Sequence, residues 1–226
     1  MNTSLAGLLG LPSGSSHTNN CKVYTIRVPH SPRNNAKAIW SMAVSWDASS
    51  NRTSALLDGV SDLDIEEMQQ YLNAKQHSMS HPLLLPTMIL ELLNMFFIDH
   101  RRELERLLYL LEQQLGITRG KNPTGAWDWS YEFHRESTIN CNKIYTSLVY
   151  LERRLEFLIG LSQFLLDNLA SINEEVSLAA QQRSRLSSGS NIIRETVVNS
   201  KDFAKMALHQ TLCLQKRCQA LAIIVG

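Results

Sequence analysis

The amino-acid sequence predicts a mainly α protein, with long antiparallel helices in a coiled-coil-like stalk or bundle and a small N-terminal β-sheet. Two observations predict this fold class. Apolar residues recur at steps of four and three through a long stretch of the second half, which is the period of a helix with one apolar side. Short alternating runs occur only near the start of the chain, and alternation is typical of strands with one buried face.

The first part of the chain predicts a tail followed by the sheet. Residues 1–20 are rich in Ser, Gly and Asn and predict a disordered tail. Residues 22–28 and 38–46 each alternate apolar and polar side chains, and 52–57 can add a third strand. The dipeptide Asp58-Gly59 then predicts a turn. We therefore expect three regions: a tail at 1–20, a β-rich region at 21–60 and a long-helix bundle or stalk at 61–226.

Two helices are predicted before the loop at 116–126. Ser61, with Asp64 three residues later, resembles a capping box that opens the first of them. The segment 81–86 predicts an extended connector, because its two prolines disfavour helix at the residues that precede them. The next helix is expected from Pro86 to Leu115, where Gly116 is a natural stop.

A heptad seam dominates the second half of the chain. Its eleven positions alternate steps of four and three, and only Ser162 among them is polar. Such a helix keeps one side facing a partner and can supercoil around it. At 1.5 Å per residue the seam is about 54 Å long, which suggests a stalk. The heptad seam consists of Ser162, Ala179 and nine larger apolar residues that are the candidate helix-packing site: Ile144, Leu148, Leu151, Leu155, Leu158, Leu165, Leu169, Ile172 and Val176.

The seam helix is expected from about Thr138 to Leu186, and the segment Ser187–Ser190 predicts a hinge. A last helix is expected from about Asn191 to the end of the chain. Its own heptad-like positions are mostly small, which would allow close approach to a neighbouring helix: Ile193, Val197, Ser200, Ala204, Ala207, Thr211, Leu214, Cys218 and Leu221.

The composition of the chain argues against some classes of function and some locations. The chain carries 22 basic and 21 acidic residues, so it lacks the basic excess of a nucleic-acid-binding protein. Four cysteines are too few for a disulfide framework in 226 residues, which favours a cytoplasmic location. No membrane span is expected, because the most apolar stretch, 83–98, is interrupted by Pro86 and by polar side chains and is shorter than about 20 residues.

No motif predicts catalysis, so we expect a protein that is not an enzyme and has no catalytic or cofactor-binding residues. The segment 116–122 resembles a phosphate loop but is one residue short and follows a helix. Metal ligands stay unknown. His77 with His81 forms a pair without a third ligand, and His209, Cys213 and Cys218 do not share one helix face.

An aromatic cluster precedes the seam helix. It predicts a hydrophobic anchor that fixes the entry of the helix, with a ligand platform as the alternative. The cluster consists of Trp127, Trp129, Tyr131 and Phe133.

The order of these elements resembles the cytosolic part of fungal CorA-like magnesium transporter proteins. The resemblance is strongest from His81 to Leu115, which begins with the letters HPLLLP, and is supported by Ser54–Leu57 and by Arg217–Leu221. It covers roughly two-thirds of the chain. It implies an α/β domain with a long stalk helix that leads into two membrane spans, in an assembly of five subunits around a pore.

The resemblance also implies magnesium as a possible cofactor, although no residue of this chain can be assigned to it. In that superfamily a Gly-Met-Asn motif after the first span forms the pore entrance, and this chain contains no such motif. Two hypotheses of different class follow. The chain is either the cytosolic domain of a transporter, truncated or split and not competent for transport alone, or a free-standing soluble helical protein without catalytic activity.

The two hypotheses differ in partners and location. The first places the chain at the cytosolic face of a membrane if the native chain continues into transmembrane helices. The second expects self-association or partner helices in the cytoplasm. In either case the heptad seam can pack against another chain, or within its own chain against the helices at 86–115 and 191–225.

Overall fold

The computed structural model of the protein describes residues 21–29, 40–47, 50, 52–75, 81–117, 130–176 and 183–225. Of these residues 78% are helical, and a small three-stranded antiparallel sheet precedes the helices. The predicted fold class, mainly α with a small N-terminal sheet, is therefore confirmed. The predicted tail at 1–20 and the predicted loop at 118–126 lie outside the described residues.

The sheet consists of β1 (Cys21–Arg27), β2 (Ser41–Asp47) and β3 (Arg52–Asp58), in that spatial order and antiparallel throughout. The alternation of apolar and polar residues along the strands gives the sheet one buried face, because successive side chains of a strand point to opposite faces. Gly59 follows β3 with a φ of 77°, which favours glycine and agrees with the predicted turn. The buried face is built from β1, β2 and their flanking residues: Tyr24, Ile26, Val28, Trp40, Met42, Val44 and Trp46.

Four helices follow in the described part of the chain: α1 (Asp62–Ala74), α2 (Leu84–Gln114), α3 (Tyr131–Val176) and α4 (Arg183–Val225). The capping box of α1 is confirmed. The Ser61 backbone N–H donates to the Asp64 carboxylate over 2.9 Å, and the Ser61 hydroxyl accepts from the Asp64 N–H. At the end of α2, Gly116 has a φ of 69°, as expected for a helix-terminating glycine.

The extended connector predicted at 81–86 is wrong in its second half. Pro82 and Leu83 form a turn, and α2 begins at Leu84. The Leu84 N–H donates to the His81 carbonyl over 3.1 Å. Pro86 is then the third residue of the helix, where its missing N–H has no intrahelical acceptor to lose.

Two further boundaries differ from the expectation. The seam helix α3 begins at Tyr131 rather than near Thr138, because the Ser130 hydroxyl accepts from the Phe133 N–H over 3.2 Å and caps the helix. The described part of α3 runs to Val176, and 183–186 belong to α4.

The hinge predicted at 187–190 is also wrong, because α4 is helical throughout this segment. Glycine in a helix costs about 1 kcal/mol relative to alanine, yet packing overrides this preference here. A Cβ placed on Gly189 would lie 3.6 Å from the His81 side chain, and the Ser190 side chain is buried and hydrogen-bonded. The segment is held as helix by its neighbours rather than by its composition.

The chain divides into two compact units. Unit 1 comprises Met1–Phe96 and Phe157–Phe203, and unit 2 comprises Phe97–Glu156 and Ala204–Gly226. In unit 1 helices cover the buried face of the sheet. The Trp40 ring meets Phe96 of α2 edge-on at 5.8 Å, the Tyr24 ring meets Phe164 of α3 at 6.3 Å, and Lys22 donates to the Ser171 hydroxyl over 3.0 Å.

Hydrogen bonds join the helices within each unit. In unit 1 the Asn94 amide of α2 donates to the Ser200 carbonyl of α4 over 3.2 Å, and the Lys201 ammonium donates to Gln163 of α3 over 2.6 Å. In unit 2, α3 and α4 run antiparallel. Gln215 of α4 donates to Glu152 of α3, and Gln219, later in α4, donates to Tyr145, earlier in α3. The helices of unit 2 thus pack as a bundle.

Candidate functional site

The heptad seam of α3 is buried within the single chain. Its positions Leu148, Leu151 and Leu155 in unit 2 and Leu158 in unit 1 have no exposed surface. The side chain of Val176 and the whole of Ala179 lie outside the described part of the structure. Ser162 is buried too, and its hydroxyl donates to the Leu158 carbonyl of its own helix over 2.8 Å, so the polar position is satisfied without a partner helix. The remaining seam residues are also buried: Ile144, Leu165, Leu169 and Ile172.

The small-residue side of α4 is buried in the same way. All nine of its heptad-like positions, from Ile193 to Leu221, are buried. Phe157 and Leu161 of α3 are buried as well although they lie off the heptad seam. The sequence feature that indicates the burial of these two residues is the stretch 157–166. This stretch is apolar on nearly all sides of the helix and therefore predicts contact with neighbouring elements on more than one side.

Unit 1 contains a polar network that links three segments and includes two buried side chains, those of His81 and Ser190. His81, which precedes α2, is only 2% exposed. Its Nε2 atom lies 3.1 Å from the Ser190 hydroxyl of α4, and that hydroxyl lies 2.9 Å from the Asn173 side-chain oxygen of α3. On its other side, His81 Nδ1 accepts from the Leu83 N–H over 3.1 Å.

The direction of these hydrogen bonds decides what the network can do. Because His81 Nδ1 accepts a backbone N–H, the neutral ring carries its proton on Nε2 and donates it to Ser190. Ser190 in turn donates to Asn173. Activation of a serine needs the opposite arrangement, in which an unprotonated ring nitrogen accepts from the hydroxyl. The geometry therefore fits a hydrogen-bond network that holds three segments together, and it does not fit a nucleophilic site.

Burial makes the His81 network sensitive to acid. Burial lowers the pKa of His81 from 6.5 to about 4, because the charged ring is poorly solvated inside the protein. Between these two values the unfolded chain binds a proton that the folded protein does not bind. The free energy of unfolding should therefore fall as the pH falls below 6.5, by about 2 kcal/mol at pH 5 relative to pH 7.

Urea unfolding at pH 7 and pH 5 tests this expectation, with His81→Asn as the matched variant. Asparagine keeps an acceptor near the Leu83 N–H but does not titrate, so the variant should lose less stability between the two pH values, whatever its stability at pH 7. An equal loss in both proteins would show that other groups carry the acid sensitivity, such as His100, whose pKa is also lowered, by burial and by the charge of Arg154.

Unit 2 contains an ion pair that joins α2 to α4. Arg217 Nε and Nη2 donate to the two carboxylate oxygens of Glu112 over 2.9 and 2.6 Å. The Glu112 side chain is 7% exposed, whereas the Arg217 side chain is 40% exposed. Two parallel hydrogen bonds from a planar guanidinium fix both the distance and the orientation of the partners. This pair therefore sets the position of α4 against α2 within unit 2.

A cationic side chain lies between α2 and α3 in the same unit. The guanidinium of Arg154 lies 5.6 Å from the ring centre of Phe97, a favourable arrangement for a cation over an aromatic face. Burial lowers the pKa of Arg154, and its Nε atom is buried without a hydrogen-bond partner.

The structure does not assemble a metal site from the residues it describes. Within those residues no group of three His, Cys, Asp or Glu side chains could hold a metal ion. His209 and Cys213 are exposed on α4 whereas Cys218 is buried, so the three do not converge. His77, Trp127 and Trp129 lie outside the described part of the chain, and Tyr131 and Phe133 form the first turn of α3.

By length and composition alone, helix α3 is also long enough and apolar enough to cross a membrane. The stretch Tyr131–Asn173 includes an 18-residue window with a mean hydropathy of 1.3, and 44% of that window is buried in the protein. The central helix of a soluble bundle has the same composition, because it must be apolar on the sides that face its neighbours. Here the apolar residues include the heptad seam, which is packed inside the chain.

No protein-family model, no curated protein and no solved structure matches the chain.

Proposed function

We propose that this chain is a cytosolic sensing and stalk domain similar to that of CorA-like divalent-cation transporters, and that it does not transport ions by itself. The observation that supports the proposal is the order of the elements. A three-stranded sheet and a short helix precede α2, whose first turn lies within the HPLLLP segment, and two helices of 46 and 43 residues follow. In this role the long helices would hold subunits together and carry conformational change towards a membrane.

The end of α4 provides a second supporting feature. The helix continues to Val225, and Ile223 and Ile224 near its end are exposed. A stalk helix that leads towards a membrane would become apolar on all sides as it approaches the bilayer. The proposal assigns no magnesium-binding residue.

The 3′ sequence of the native transcript tests the proposal most directly. We expect the reading frame to continue beyond the codon of Gly226 into two apolar segments of about 20 residues each, with Gly-Met-Asn between them. A stop codon immediately after Gly226 would contradict the proposal. In that case the second function below would take its place.

The second candidate is a soluble helical protein that acts by self-association. The observation in its favour is that α2 exposes large apolar side chains in unit 2, among them Leu107, Tyr109 and Leu110. Since the heptad seam is buried within one chain, a second copy would have to dock on such an outer face. Sedimentation equilibrium of the purified chain would show a dimer that Leu107→Glu weakens, whereas a monomer at all concentrations would exclude this function.

A further inference from the structure

Two cysteines of unit 2 face each other across the interface of α3 and α4. Cys141 and Cys218 are both buried, and both are free thiols. The Cys141 thiol donates to the backbone carbonyl of Cys218 over 3.3 Å. Each of the two side chains also shifts the pKa of the other. They are 77 residues apart in the sequence, so their meeting depends on the packing of the two helices.

We propose that Cys141 and Cys218 form a redox-responsive dithiol, which a hydroperoxide converts into an intramolecular disulfide that joins α3 to α4. A disulfide requires the two Cβ atoms to approach within about 3.5–4.5 Å. The contact between Cys141 Sγ and the backbone of Cys218 already brings the two residues together within unit 2, and the proposal requires their side chains to rotate towards each other. The inference is independent of the transporter proposal.

The reaction balances in two steps. In the first, the thiolate of one cysteine attacks the peroxide, the O–O bond breaks, and a sulfenic acid forms with release of water or an alcohol. In the second, the other thiolate attacks the sulfenic sulfur and hydroxide leaves, which takes up a proton to give water. The dithiol loses two electrons and two protons in total, and the peroxide is reduced by the same two electrons.

The surroundings of the pair indicate which of the two cysteines is oxidised first. Burial raises the pKa of both thiols, and that of Cys218 reaches about 12. The Cys218 side chain lowers the pKa of Cys141, whereas the Cys141 side chain raises that of Cys218. Cys141 therefore becomes a thiolate more readily and is the expected site of oxidation, with Cys218 as the resolving thiol. Because thiolates are scarce at neutral pH, the reaction should be slow and should need sustained exposure to the oxidant.

The test uses the full chain with Cys21→Ser and Cys213→Ser, so that the two buried thiols are the only ones. The folded protein is treated with hydrogen peroxide, the remaining thiols are alkylated in denaturant, and proteolytic peptides are analysed by mass spectrometry. We expect a linked peptide pair that contains Cys141 and Cys218 and is two hydrogens lighter than the separate peptides. The thermal midpoint should rise by roughly 5–15 °C on oxidation and return to its original value with a thiol reductant.

Two results would overturn the proposal. One is recovery of both cysteines in alkylated form after the native protein has been exposed to peroxide. The other is a sulfinic or sulfonic acid at Cys141 without a linked peptide, which would mean that Cys218 cannot reach it. Cys141→Ser and Cys218→Ser should each abolish the rise of the thermal midpoint. If either variant fails to fold, the peptide analysis of the parent protein still decides the question.

Discussion

Replacement of Leu155 by alanine is expected to lower the free energy of unfolding by about 2–5 kcal/mol. Leu155 belongs to the heptad seam and is 0% exposed in unit 2. Truncation of a buried leucine removes its transfer free energy and leaves a cavity, whose cost depends on how far the neighbouring helices can close it. Urea unfolding followed by circular dichroism gives the change directly, provided that the slope of the transition is unchanged.

A leucine of the same unit serves as the matched control for Leu155. Leu110 on α2 is 40% exposed, so Leu110→Ala should cost less than about 1 kcal/mol. Leu165→Ala repeats the test in unit 1, where that seam residue is buried as well. Equal losses for Leu155→Ala and Leu110→Ala would contradict the burial of the seam. A loss near zero for Leu155→Ala would mean that the seam is not packed in solution.

The parts of the fold that could be predicted from the sequence are those with a regular period. Alternation places Tyr24 and Ile26 on one face of β1, because a strand repeats every two residues. Steps of three and four in the same way identify the buried sides of α3 and α4, because those spacings return to one side of a helix. These patterns can be recognised without knowing which element packs against the buried side, because burial of one side is sufficient to produce them.

Helix boundaries could be predicted only where the cap has a recognisable sequence signature. Ser61 is followed three residues later by Asp64, which completes a capping box, whereas Ser130, which caps α3, is followed at that position by Phe133. The hinge prediction for 187–190 failed for a different reason. Ser-Ser-Gly-Ser has a weak helix propensity, and its helical state depends on Asn173 and His81, which are distant in the sequence.

The polar contacts of the candidate site were not predictable for the same reason. His81 and Ser190 are 109 residues apart, and Glu112 and Arg217 are 105 residues apart. No local pattern marks either pair, because an isolated glutamate or arginine on a helix most often belongs to a solvated face. The pairs become visible only when α4 has been placed against its neighbours within each unit.

Replacement of Arg217 by methionine is the second substitution with a large expected effect. It leaves the Glu112 carboxylate 7% exposed and without the two hydrogen bonds from the guanidinium. Removal of one partner from a fully buried ion pair costs about 3–5 kcal/mol. Because the Arg217 side chain is 40% exposed, water screens part of the interaction, and we expect about 2–3 kcal/mol in urea unfolding.

A double-mutant cycle with Glu112→Gln separates the ion pair from the other contacts of Arg217. Glutamine has the shape of glutamate but no charge, and Arg217 is exposed enough to be hydrated, so Glu112→Gln alone should cost only about 1 kcal/mol. The double variant should then be no less stable than Arg217→Met, because the unpaired buried charge is gone. Losses that simply add in the double variant would show that the two side chains are not coupled. The packing of the Arg217 stem against its neighbours, and not the pair with Glu112, would then account for the effect of Arg217→Met.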